Sequence, residues 1–211
     1  MKNDTKSIED LKAIRKIMEE SSRFLSLSGL SGIFAGLTAI AGALFAYFFI
    51  LNNGSIHYEE YLSSFPGKET FSLRWQLMAD AAIVLVISVL LSLYFSMKKA
   101  KMEGKNFLTL TSKRMLINLL IPLVTGGVFI IVLLFQNNFR LIVPCFLIFY
   151  GLALVNAGKF TFDEIFYLGL LEIIIGLIAA FLPGWGLIFW IIGFGILHII
   201  YGLMMYRKYE I

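Results

Sequence analysis

Long neutral runs broken by short charged clusters set the plan of this chain. From Phe24 to Tyr58 no formally charged residue occurs, and an apolar run of more than ~18 residues reads as a helix able to cross the ~30 Å hydrocarbon core of a bilayer. Runs of this kind predict six spans, at about 27–51, 75–97, 115–135, 141–155, 162–182 and 185–206. They are longer than barrel strands and show no alternation, which leaves the α-helix as the way to satisfy backbone hydrogen bonds in lipid. The expected fold class is therefore all-α: a polytopic membrane protein of six transmembrane helices arranged as three hairpins.

The polar stretches complete the outline. Ahead of the first span, Ile8, Leu11, Ile14, Ile17 and Met18 recur every three to four positions among Lys, Arg, Asp and Glu. Residues 1–23 are thus predicted to form an amphipathic helix, started by Ser7 and Asp10 in a capping-box arrangement, lying along the cytoplasmic membrane surface. Residues 52–74, with Asn52, Gly54, His57, Glu59, Glu60 and Pro66, read as an external loop. A basic connector, from Lys98 to Arg114, joins the second and third spans, and Pro183-Gly184 predicts a tight turn between the fifth and sixth. Phe149-Tyr150-Gly151-Leu152 returns 51 residues later as Ile200-Tyr201-Gly202-Leu203, a faint repeat that fits the hairpin plan.

Composition agrees with the pattern: 59% of the residues are hydrophobic and 15% charged, a balance that a water-soluble fold of 211 residues has no means of burying. The formal net charge of +4 is not spread as a nucleic-acid-binding surface would be. Instead, 15 of the 18 Lys and Arg fall on the side that carries both termini. The positive-inside bias puts that side in the cytoplasm and predicts a multi-pass protein of a plasma membrane, in a bacterium the inner membrane. Tyr47, Trp75 and Trp185 near one boundary and Tyr94, Tyr150, Tyr201 and Tyr206 near the other read as aromatic belts.

Few residues are placed to carry chemistry. Glu172 falls in the middle of the fifth span, where an ionised carboxylate costs at least ~2.5 kcal/mol unless it is paired or wet. Across the Pro183-Gly184 turn, His198 lies within one helical turn of it in depth, so a Glu172 to His198 hydrogen bond is open to the chain. Asp80, near the outer end of the second span and six residues after Arg74, is the third candidate for an intramembrane polar site. In the first span Ser28, Gly32 and Gly36 step by four, with Ala35, Ala39 and Ala43 beside them; this small-residue face packs either on a neighbouring span or on a second copy.

Catalytic and metal-binding signatures are not found. Cys145 is the sole cysteine, there are two histidines, and no HExxH, CxxC or phosphate-binding glycine loop occurs. No cofactor, metal or catalytic residue is therefore expected; the lipid bilayer is the partner the pattern implies, a second copy of the chain or another membrane protein is the further candidate, and no nucleic acid is expected. Gly29-Leu30-Ser31-Gly32 resembles the Gly-x-Ser-Gly nucleophile motif of rhomboid proteases. That family carries its serine in the fourth span of the core, and here Ser31 opens the first, so no protease is inferred.

Residues 166–206, with Gly169, Glu172, Gly176, Pro183 and Gly184 followed by Tyr201-Gly202-Leu203, resemble the helical hairpin unit of small six-span bacterial inner-membrane proteins of the HdeD-like type. The resemblance implies a bundle built from repeated two-helix units and an association with stress or acid resistance. Two functions compete. One is a non-enzymatic accessory or stress-linked protein that acts through helix-helix or protein-protein contacts. The other is a small transporter or channel in which Glu172, with His198, binds a proton or cation.

Overall fold

The computed structural model describes residues 24–51 and 68–211. Six helices in it are long and apolar enough to cross a bilayer: α1 (Gly29–Ile50), α2 (Lys68–Met102), α3 (Leu110–Phe135), α4 (Phe139–Gly158), α5 (Asp163–Phe181) and α6 (Gly186–Tyr209). The described residues contain no strand. The amphipathic helix expected over residues 1–23 and most of the loop expected over 52–74 lie outside the described residues.

The boundaries that differ from the sequence reading by five residues or more lie in α2 and at the start of α3. Lys68–Arg74, expected in the external loop, are helical, α2 continues into the basic connector as far as Met102, and α3 begins at Leu110, taking up Lys113 and Arg114 from the other end of that connector. The 35 residues of α2 span about 52 Å at 1.5 Å per residue, well beyond the hydrocarbon. No Gly or Pro lies between Lys68 and Met102 to stop it, and it ends where Gly104 takes φ 65°. Thr109 and Ser112 then form a reciprocal capping box that starts α3. The Pro183-Gly184 turn forms as expected, with Gly184 at φ 94°.

Large apolar side chains point outward: Phe135 and Phe181 are each 84% exposed, and Leu85, Val86, Leu90, Ile121 and Val124 are exposed along α2 and α3. A surface of this kind belongs in lipid tails rather than water. Between helices the contacts are made by small residues, which let backbones approach.

The closest packing joins α4 to α5 and α1 to α6, whereas α5 and α6, expected to form the third hairpin, touch more loosely. The two close seams are alike in detail. A Cβ on Gly151 of α4 would fall 2.6 Å from the Gly169 carbonyl of α5 and 2.8 Å from Ile173; one on Gly202 of α6 would fall 2.6 Å from the Gly29 carbonyl of α1 and 2.8 Å from Ile33. The sequences match accordingly: Gly29, Leu30, Ile33 and Gly36 share spacing with Gly169, Leu170, Ile173 and Gly176. At the one position where α1 has Gly32, α5 carries Glu172.

The face of α1 that carries Ser28, Gly32 and Gly36 is taken up within the chain. Gly32 lies against the Gly202 backbone and Tyr201, Gly36 lies against the Gly195 carbonyl and Ile199, and Ser28 caps its own helix by accepting from the Leu30 N–H.

Candidate functional site

Glu172 has no exposed surface, and neither of its carboxylate oxygens receives a hydrogen bond from a described residue. Its nearest polar neighbour is His198 of α6, whose Nδ1 lies 3.4 Å from Oε1. The same Nδ1 lies 3.0 Å from the Gly193 carbonyl. A carbonyl only accepts, so the ring nitrogen facing it carries the hydrogen and donates to Gly193. Nε2 is then the acceptor for the Tyr150 hydroxyl of α4, 2.7 Å away. The imidazole is thus held from both sides, and the carboxyl group beside it is left without a donor.

The backbone around Gly193 explains the geometry. Residues Ile191–Leu197 form a π-helical stretch within α6, and the Gly193 carbonyl meets the imidazole five residues further on. Such wide turns are costly and gather at functional positions. Gly193 also makes the room: a Cβ there would fall 2.5 Å from Leu147 and 2.6 Å from Glu172 Oε2. Three helices therefore build the cluster, α5 with Glu172, α6 with His198 and Gly193, and α4 with Tyr150.

Aromatic rings run from this cluster toward the face opposite the termini. On α6, Trp190 and Phe194 lie 4.7 Å apart and Phe194 lies 6.1 Å from the His198 ring; on α4, Phe146 stands 5.8 Å from Trp190 and Tyr150 stands 5.3 Å from Phe194. Above them opens a crevice of about 80 Å³ between α1, α2, α4 and α6, lined by Ala43, Arg74, Asp80, Phe139, Phe146 and Trp190 among others. Asp80 faces this crevice and does not join Glu172 and His198. Arg74 does not pair with it: its Nη1 donates to Asn137 at 2.8 Å, and its guanidinium lies 4.4 Å from the Phe139 ring centroid.

Of the three expected polar residues, the fold brings two together and sets the third in a separate crevice that shares Phe146 and Trp190 with the aromatic rings. Tyr150 was legible only as a belt residue; its place inside the bundle follows from the Gly151–Gly169 crossing next to it. Ser31 donates to the Ser28 carbonyl at 2.5 Å and both nitrogens of His198 are engaged elsewhere, so the two are not arranged as a nucleophile and base. No group of three His, Cys, Asp or Glu that would hold a metal occurs among the described residues.

A second polar network, not foreseen, closes the face that carries the termini. Glu210 accepts from the Gly29 N–H at 2.5 Å and from the Ser28 hydroxyl at 3.1 Å, which places a carboxylate on the N-terminus of α1. Lys99, nearly buried, donates to the Leu27 carbonyl at 2.9 Å and lies 3.5 Å from the same carboxylate. Thr161 donates to the Phe24 carbonyl at 2.6 Å, and the Phe24 N–H to Phe160 at 2.7 Å. These bonds tie the C-terminal end to the start of α1 and to α2, and Phe24 to the loop between α4 and α5.

No protein-family model, curated protein or solved structure matches the chain. The geometry alone therefore bears on function.

Proposed function

We propose that this is a small transporter or channel of the bacterial inner membrane, with both termini in the cytoplasm, in which Glu172 binds and releases a proton or monovalent cation with His198 as its neighbour. One observation carries the reading: a carboxyl group is fully buried at mid-membrane depth with no donor among the described residues on either oxygen. An uncompensated charge there costs at least ~2.5 kcal/mol, so the group calls for a proton or a cation. A static clamp between helices, the arrangement an accessory protein would favour, calls for the reverse: a carboxylate met by donors, as Glu210 is.

The neighbours support the same reading. His198 carries its ring hydrogen on Nδ1, 3.4 Å from the carboxyl group, so a small turn away from the Gly193 carbonyl would bring that hydrogen to the carboxylate left when Glu172 releases its proton. The crevice supplies an approach from the opposite face, and the aromatic rings between it and Glu172 form the barrier that any coupled carrier needs. The orientation rests on the 15 of 18 Lys and Arg on the terminal side.

The test uses the full chain in proteoliposomes that enclose a pH-sensitive dye, with a potassium diffusion potential imposed by valinomycin. The wild-type protein is expected to pass protons above the rate of empty vesicles, and Glu172→Gln, which keeps shape, is expected to fall to that background. Equal flux in the two proteins, or none above background in the wild type, would overturn the proposal.

A further inference from the structure

We propose that the crevice between α1, α2, α4 and α6 is a binding site for a small monovalent organic ammonium ion, held by the Asp80 carboxylate beside the rings of Trp190 and Phe146. That such an ion is also transported rests on the reading of Glu172 given above; that it binds does not.

Three features of the crevice select this chemistry. The first is the charge. Asp80 lines the cavity on α2 and makes no hydrogen bond or ion pair with any described residue, while Arg74, the other charged residue of the lining, is engaged by Asn137 and the Phe139 ring. The second is the wall. Apart from Arg74 and Asp80 the lining is alanine, leucine, isoleucine, valine, methionine and aromatic rings, a surface that rejects a hydrated metal ion and accepts alkyl carbon. Aromatic faces add attraction for a positive charge that has shed water. The third is size: about 80 Å³ is room for roughly five waters at the ~15 Å³ each requires, enough for an ammonium group bearing a short alkyl chain.

Arg74 lies six residues from Asp80, about 9 Å along the helix axis, where its guanidinium meets Asn137 and the Phe139 ring. The crevice is on the path of the aromatic column, since Trp190 and Phe146 belong to both. A bound ion thus rests on the outer side of the rings that separate it from Glu172.

Trp190 serves as the reporter. In detergent-solubilised full-length protein carrying Trp75→Phe and Trp185→Phe, both positions being exposed, the remaining indole is expected to change fluorescence saturably on addition of propylammonium. Propanol and propionate, of the same length without the positive charge, are expected to leave it unchanged. Asp80→Asn is expected to weaken the propylammonium response at least tenfold, and Glu172→Gln to leave it intact whatever that variant does to proton flux. The inference is overturned if propylammonium gives no saturable change, if propanol matches it, or if Asp80→Asn responds as the parent does. Should Asp80→Asn not elute as a single species, the contrast between propylammonium and propanol in the parent decides.

Discussion

His198 Nδ1 stands 3.4 Å from Glu172 Oε1 yet directs its hydrogen to the Gly193 carbonyl, 3.0 Å away. The pair is therefore close enough to exchange a proton and is not locked by one. Gly193 holds both terms of this balance, because its carbonyl takes the imidazole hydrogen and its missing side chain leaves space for the carboxyl group.

Gly193→Ala tests that dual role. The added methyl would fall 2.5 Å from Leu147 and 2.6 Å from Glu172 Oε2, so the carboxyl group or the helix must move. Overpacking of this kind costs about 1–3 kcal/mol, and thermal unfolding in detergent is expected to show that loss. Combined with Glu172→Ala, which empties half of the contact, the cost of Gly193→Ala should shrink, so the two changes should be non-additive. Simple additivity would mean that the methyl and the carboxyl group do not compete for the same space.

Tyr150→Phe removes the donor to His198 Nε2 and nothing else of size. A buried ring nitrogen left without its partner costs about 1–3 kcal/mol, and the freed imidazole can turn away from the carboxyl group. Proton flux in proteoliposomes is expected to fall below wild type while staying above that of Glu172→Gln. Wild-type flux in Tyr150→Phe would show that the hydroxyl positions nothing.

How much of this was readable from the chain depends on range. The six spans follow from local composition, and Glu172 and His198 stood out because charge and imidazole are rare at that depth. Their meeting was also foreseeable, since a tight turn fixes the depth of one against the other. The π-helical stretch was not, because Ile191–Leu197 is as apolar and as regular in sequence as any α-helical run. The seams were half legible: the small-residue face of α1 announced close packing, but only the fold chooses α6 as its partner. The ring contacts of Tyr150, the crevice around Asp80 and the Glu210 cap depend on residues up to 182 positions apart, which no spacing in the sequence brings together.

Glu210→Ala probes the network on the terminal face apart from the buried cluster. It strips the α1 N-terminus of a carboxylate that accepts from Gly29 and Ser28, and leaves Lys99, nearly buried, with the Leu27 carbonyl. Loss of an N-terminal cap and its favourable charge is expected to lower stability by about 1–2 kcal/mol. Flux per folded molecule should be unchanged, since α1 meets α6 on a different face from Glu172. A flux loss larger than the loss of folded protein would tie this network to transport.

Orientation has its own measurement. Cys145 is buried and is the sole cysteine, so Cys145→Ser gives a background for single-cysteine labelling. Pro183→Cys lies in the turn between α5 and α6 and Lys159→Cys beyond the end of α4, at opposite ends of α5 and both exposed. With the basic clusters inside, a membrane-impermeant maleimide added to intact cells is expected to label position 183 and to reach position 159 only after permeabilisation. The reverse pattern would place the termini outside and turn the Asp80 crevice toward the cytoplasm, so that the ammonium ion would meet its site from within the cell.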